Sequence, residues 1–353
     1  MMKDRNEYGI GLIGLGIGQQ HLLGYQANGL RVAALCDVDE TLLTETADKF
    51  GIQQRYTDVN GLVADPDVDI VDIAIQPWLR WPLVKAAAMA SKHILCQKPF
   101  SMNLCQAVAM VKVCEKYGVE LMVNQNSCFV PGFLAIEPYL SDKYLGTIYY
   151  ASIICDGWFL NFPEKHIIPA MMVHHIGLIY KWFGKFKQVY CQAHGHNRSI
   201  DQGETMAVTQ FTTESDIQGL LSCNWASSGR AGHKHPHPHE EIRIQGTRGS
   251  IYGNSREMVV HEEGKNDEIR PRIEETWFPN AFGNTMSHFM DCLRDGKKPL
   301  TNGRENLHVV QVIFAMFQSA KTGRCVHIDE ISLHDDYDLS PAPVIGATDG
   351  FAH

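Results

Sequence analysis

The 353-residue chain has no unbroken apolar run approaching the roughly 20 residues a membrane helix needs, so a protein built on spanning helices is not expected. It has no leader pattern either. Met-Met-Lys-Asp-Arg-Asn-Glu runs into a glycine-broken apolar stretch, without the h-region and small-residue cleavage site of a secretory signal. The ten cysteines form no C-x-x-C pair. Several fall inside apolar runs such as His93-Ile-Leu-Cys96, where a free thiol packs as a small hydrophobe, so a cytoplasmic location is expected rather than a disulfide framework. Positive charge is scarce: 31 Lys and Arg against 40 Asp and Glu give a net charge of −9, which supplies no global field for a phosphate backbone. Neither nucleic acid nor a membrane is an expected partner. Internal repeats are absent, and the one biased tract is a short histidine cluster.

What is present resembles an average soluble chain, with 44% hydrophobic and 20% charged residues, which excludes wholesale disorder. The length suits about two domains. From Tyr8 to Asn124, short β-branched runs alternate with amphipathic stretches. The runs are Tyr8 to Ile13, Arg31 to Cys36, Ile70 to Ile75, His93 to Cys96 and Glu120 to Asn124. Helices are expected over His21 to Ala27, Thr41 to Phe50, Leu83 to Ala90 and Leu104 to Tyr117. This is the pattern of βαβ units, so the fold class is α/β, opening with a doubly wound parallel Rossmann sheet. After Asn124 the character becomes α+β. Thr205 to Thr213 and Ile217 to Ser227 read as an antiparallel hairpin whose Ile217, Leu221, Cys223 and Trp225 share one face. Thr147 to Cys155, Gln188 to Ala193 and Glu241 to Gln245 are further strands, and Met171 to Phe183, Ala281 to Asp295 and Glu305 to Thr322 are helices.

Two constellations carry chemistry. In Gly9-Ile-Gly-Leu-Ile-Gly14-Leu-Gly16-Ile17-Gly18, the last three glycines fall where the first strand hands over to the first helix. Glycines there permit a tight turn and let backbone N–H groups approach a pyrophosphate at a helix N-terminus. A glycine-rich turn without ligand has the same text, but Asp37 ends the second strand, 23 residues beyond Gly14, where a ribose 2′-hydroxyl is read. With no Arg or Ser after it, that carboxylate favours NAD and repels the 2′-phosphate of NADP. The second constellation is Gln76-Pro77 after one strand and Lys92-His-Ile-Leu-Cys-Gln97-Lys98-Pro99 ending the next, at the crevice where such sheets bind ligands.

Together these stretches resemble the glucose-fructose oxidoreductase, inositol dehydrogenase and MocA family, whose usual text is T-P-x-x-x-H followed by A-G-K-H-V-L-C-E-K-P. Val123-Asn-Gln-Asn126, Leu145-Gly-Thr-Ile-Tyr149, Glu241-Ile-Arg-Ile-Gln-Gly-Thr-Arg-Gly-Ser250 and Ser319-Ala-Lys-Thr-Gly-Arg324 extend the likeness over nearly the whole chain. The resemblance implies a dinucleotide-binding domain over 1–124, a substrate and oligomerisation domain with a large, mostly antiparallel sheet over 125–330, and a tail over 331–353. It also implies NAD as cofactor, a carbohydrate or cyclitol substrate, and a homodimer or homotetramer formed through the second sheet. Lys98 matches the family lysine that contacts the reacting hydroxyl, and His174 the acid/base histidine. Gly14, Gly16, Ile17, Gly18, Asp37, Gln76, Pro77, Gln97 and Lys98 are the expected cofactor contacts. Asn126, Asp156, Trp158 and His175 are candidates for the substrate.

The chain departs from the family text in four places: Gln97 for Glu, Ala170 and Gly177 for Asp, and Cys128 for Arg. The implied activity is hydride transfer between nicotinamide and a hydroxyl-bearing carbon of a sugar, cyclitol or sugar derivative, with Lys98 and His174 moving the hydroxyl proton. Two alternatives remain open: a glycoside-cleaving enzyme that oxidises a sugar transiently and eliminates the aglycone, and a non-catalytic NAD-binding protein. Within Gly232-His233-Lys-His235-Pro-His237-Pro-His239, two prolines and a lysine argue for an extended loop, and no metal site is expected.

Overall fold

A computed structural model describes residues 4–157, 166–195, 203–225 and 239–333. The first half forms β1 (Ile10–Ile13), α1 (Gly18–Ala27), β2 (Val32–Cys36), α2 (Glu40–Phe50), β3 (Gln54–Tyr56), α3 (Val59–Ala64), β4 (Ile70–Ile73), α4 (Arg80–Met89), β5 (His93–Gln97), α5 (Leu104–Tyr117) and β6 (Leu121–Asn124). The strands make one six-stranded sheet in the order β3-β2-β1-β4-β5-β6, every pair parallel. Residues of β1, β4 and β6 are buried along their whole length, as expected of strands covered on both faces. Helix ends are set by local chemistry. The Asp39 carboxylate accepts from Thr41 and Leu42 N–H to start α2, Asn103 caps α5, and Gly51 and Gly118 close these helices in the left-handed region. β3 and α3 went unread in the sequence because three and six residues are too short to show a period.

The second half adds α6 (Pro131–Ile136), β7 (Ile148–Asp156), α7 (Val173–Phe183), β8 (Phe186–His194), β9 (Met206–Thr213), β10 (Gln218–Asn224), β11 (His239–Gly246), β12 (Gly249–Asn254), β13 (Glu257–Glu262), α8 (Asn280–Asp295), α9 (Gly303–Thr322) and β14 (Val326–His327). An eight-stranded sheet runs β13-β12-β11-β7-β10-β9-β8-β14, with β7 and β10 parallel and the other pairs antiparallel. The expected hairpin is β9–β10, and Ile217, Leu221, Cys223 and Trp225 are all buried. They join residues of α7 and α9, such as Ile176, Ile179, Val312 and Ile313, in a single core. β12 escaped the sequence pattern because Ile251 is its one buried residue among glycines and polar side chains.

The last helices return to the first sheet. α8 lies on α1, where each presents a glycine: a Cβ added at Gly24 would stand 2.6 Å from the Pro279 carbonyl oxygen, and one at Gly283 would stand 2.3 Å from the Gly24 oxygen. α9 packs on α5 and contributes Leu307 and Val310 to the core of the first unit. We expect Gly24→Ala to lower stability by about 1–3 kcal/mol, since the added methyl meets backbone that cannot rotate away. Thermal melting checks this, and an unchanged Tm would show that the two helices part without cost.

Candidate active site

The order of the first sheet reverses between β1 and β4, and the loops leaving these strands open a crevice at their carboxyl ends. Gly14 has φ of +91°, and a Cβ there would lie 2.4 Å from Ile75 Cγ2 and 2.8 Å from the Ala74 oxygen. An L side chain is therefore excluded by both conformation and space. At Gly16 an added Cβ would meet nothing within 4 Å. This is open space of the kind a pyrophosphate needs. α1 begins without a side-chain cap, leaving the positive end of the helix for an anion. Asp37 lies at the exit of β2. One carboxylate oxygen accepts from Leu15 N–H at 2.7 Å and the other from Asp39 N–H at 3.0 Å, so the acid is tied to the glycine turn. Gly14, Gly16, Ile17, Gly18 and Asp37 thus meet at one place, and they fit a dinucleotide.

The far wall is held by a residue that sequence reasoning passed over. Arg80 is fully buried, and its guanidinium donates to the carbonyl of Ile75 at 2.8 Å, to that of Lys98 at 3.3 Å, and to those of Gln97 and Pro99. It ties the exit of β4 to the turn after β5. The available signal was a lone arginine in the apolar run Trp78-Leu-Arg-Trp-Pro-Leu-Val. Gln76 and Pro77 start the short turn ahead of α4, and Gln76 Oε1 is buried without a hydrogen-bond partner. The Lys98–Pro99 peptide is cis. Lys98 Nζ donates to the Ala170 carbonyl at 2.9 Å, within the π-turn Ile168–Met172 that leads into α7, and so links the two sheets' territories.

Gln97 turns inward rather than into the crevice. Its Oε1 accepts from Lys98 N–H at 2.7 Å, which identifies Nε2 as the donor to His21 Nε2 at 2.9 Å. His21 Nδ1 must then donate to Asp72, 2.7 Å away, whose same oxygen accepts from Tyr25 OH at 2.6 Å. Burial and the Asp72 charge push the Tyr25 phenol well above its ordinary range. A Glu at 97 would offer His21 Nε2 an acceptor instead of a donor. The Gln therefore matches a histidine already committed to Asp72.

His174, in the first turn of α7, is buried with its ring edge-on to Trp277 at 5.4 Å. Its Nδ1 has no hydrogen-bond partner. Burial, with the Lys98 and His175 charges, holds its imidazole well below the usual histidine range. Asn126 is occupied structurally, its Oδ1 accepting from Trp277 Nε1 at 3.4 Å. His175 turns to the eight-stranded sheet, where its ring meets Cys223 and Glu240, so we correct its placement among substrate contacts. Asp156 ends β7, paired in register with Asn224 and His239. Trp158 and His233, His235 and His237 lie outside the described residues, as does the side chain of His239.

Two of the departures from the family text face each other. A Cβ on Gly177 would lie 3.6 Å from Cys128 Sγ and 3.4 Å from Gln125 Oε1, beside a cavity of about 230 Å³ that Lys181, Thr301 and Asn306 also line. An acid at 177 and an arginine at 128 would stand close enough to be partners. We expect Cys128→Arg alone to destabilise the protein by about 3 kcal/mol or more, through a buried charge without its acid, and added Gly177→Asp to recover part of this. A double-mutant cycle by urea unfolding measures the coupling, and strict additivity would show the two positions to be independent.

Residues 8–125 match the description "Oxidoreductase family, NAD-binding Rossmann fold", and residues 170–328 match "Oxidoreductase family, C-terminal alpha/beta domain". D-apiose dehydrogenase of Paraburkholderia graminis is 28% identical over 339 residues, covering 91% of this chain and 89% of its own. Myo-inositol 2-dehydrogenase of Thermotoga maritima is 24% identical, covering 91% and 99%. Among solved structures, an oxidoreductase from Agrobacterium radiobacter in complex with NAD+, L-tartaric acid and magnesium superposes with a TM-score of 0.83 at 26% identity, covering 92% of this chain and 100% of that one.

Proposed function

We propose that this chain, which belongs to the glucose-fructose oxidoreductase, inositol dehydrogenase and MocA family of NAD-dependent oxidoreductases, oxidises a secondary hydroxyl of a sugar, cyclitol or sugar derivative through Lys98 and His174. The observation that carries this reading is the meeting of Lys98 Nζ, from the first sheet, with the carbonyl of Ala170, four residues before His174, whose Nδ1 is uncommitted. Residues 1–124 hold the dinucleotide and residues 125–330 supply substrate contacts. NAD, which Gly14, Gly16, Ile17, Gly18 and Asp37 would hold, would supply the hydride acceptor for the substrate carbon. Lys98, as its neutral amine, orients the substrate hydroxyl and takes its one proton, exchanging the Ala170 carbonyl for the substrate oxygen. His174 hydrogen-bonds the same oxygen through Nδ1 and so assists that transfer. Asp37 holds the adenosine ribose and repels a 2′-phosphate. The sheet's outer face, where Met206 and Tyr252 stand exposed opposite the buried Ala207 and Ile251, serves for self-assembly.

A panel of aldoses, uronates and inositols with NAD, followed by NADH absorbance, tests the activity. At least one should be oxidised, and a full panel without NADH formation would overturn the reading. On the best substrate, Lys98→Met should lower kcat by about 10²- to 10⁴-fold, a far larger effect than on NAD affinity. Turnover unchanged in that variant would remove Lys98 from the reaction. Asp37→Ser should narrow the preference for NAD over NADP by tenfold or more, roughly 1.4 kcal/mol, in paired binding titrations.

A further inference from the structure

Behind α7, on the side away from Trp277, three neighbouring strands present a row of polar side chains to the helix. In β11, β7 and β10, Glu240 stands opposite Cys155, and Cys155 opposite Cys223. All three are buried, and the fully buried His175 lies over them from α7. The ligand atoms of Cys155, His175 and Cys223 lie within 4.8 Å of one another, with Cys223 Sγ 3.4 Å from His175 Nδ1. His175 Nε2 is 3.4 Å from Glu240 Oε1 on the opposite edge of the ring. Two thiols, an imidazole and a carboxylate so arranged are not hydrophobic filler.

We propose that Cys155, Cys223 and His175 Nδ1 bind a zinc ion, with Glu240 accepting the Nε2–H of His175 as its outer support. Tetrahedral zinc with bonds of about 2.3 Å to sulfur and 2.05 Å to nitrogen spans an S···N edge of about 3.6 Å and an S···S edge of about 3.8 Å. The 3.4 Å between Cys223 Sγ and His175 Nδ1 is close to that S···N edge, and all three ligand atoms lie within 4.8 Å of one another. Binding releases one proton from each thiol, and two thiolates cancel the charge of the dication, so the metal and its three ligands are together neutral and Glu240 carries the one remaining negative charge. A monovalent copper ion would leave one negative charge beside Glu240, and magnesium or calcium would require oxygen ligands. The histidine–carboxylate contact is the arrangement that fixes a ligating imidazole's tautomer and ring plane. Among the described residues no fourth ligand approaches, which leaves one position for water or another small ligand. The ion would cross-link β7 and β10 to α7 one residue from His174, making it a positioning element for that side chain. It does not depend on which substrate is oxidised.

The test uses full-length protein purified without a histidine tag and dialysed against a mild chelator. Metal analysis should find one zinc per chain in the wild type and none in Cys155→Ser/Cys223→Ser, which keeps the cluster His233 to His239 and so controls for adventitious binding there. Cobalt(II) substitution of the wild type should produce a thiolate-to-cobalt charge-transfer band in the near ultraviolet. Glu240→Gln should retain the metal with a Kd raised 10- to 100-fold. Zinc retained in the double variant, a wild type without the cobalt band, or a mapped Cys155–Cys223 disulfide would each overturn the proposal. Should the double variant not fold, the cobalt spectrum of the wild type decides alone.

Discussion

A single buried guanidinium sets the spacing on which the crevice depends. Arg80 arises at the start of α4 and gathers a carbonyl from Ile75, just beyond β4, and those of three successive residues, Gln97, Lys98 and Pro99, at the exit of β5. Withdrawing this cation from water costs several kcal/mol unless oxygens replace the hydration shell, so each carbonyl is held as firmly as the charge itself. Two strand exits that would otherwise be independent loops become one rigid wall. Lys98 is the residue on that wall, and its side chain crosses to Ala170, so the geometry at the entrance to α7 is fixed indirectly from Arg80.

Beneath the wall lies a second constraint of a different kind. The chain from Tyr25 through Asp72 and His21 to Gln97 is a buried hydrogen-bonded series. It ends on the N–H of Lys98. Gln97 is thereby coupled through His21 to a carboxylate, Asp72, in the middle of the buried strand β4, and that carboxylate orients a histidine rather than bordering the reacting group.

The positions of the glycine turn, of Asp37 and of Lys98 were legible because they fall at strand exits, and such positions have local signatures. The parallel sheet was legible for the same reason, through short β-branched runs at βαβ spacing. Arg80, Asp72 and the Cys155, His175 and Cys223 group were not. Arg80 bonds to residues 17 to 19 positions away and Asp72 to residues 47 and 51 positions away, and nothing local distinguishes a buried acid in Ile70-Val-Asp72-Ile73 from an exposed one on an edge. Cys155 and Cys223 become neighbours through a parallel pairing of β7 with β10, which the hairpin pattern of β9 and β10 does not disclose. The pairing of Gly177 with Cys128 was half visible: both departures stood in the text, and only their contact was missing.

The close approach of Gly24 to Gly283 has a consequence for synthesis. The surface of α1 that receives α8, and the surface of α5 that receives α9, belong to the first 117 residues, yet the helices that cover them end at residues 295 and 322. A nascent chain emerging from the ribosome therefore carries a nucleotide-binding half with two faces that α8 and α9 cannot cover until residues 295 and 322 have been translated. Leu121, Met122 and Tyr25, buried in the finished protein against those late helices, remain accessible throughout that interval. The order in which the ribosome delivers the chain is the reverse of the order in which its first domain could be sealed, so completion of the first fold is timed by the last helices.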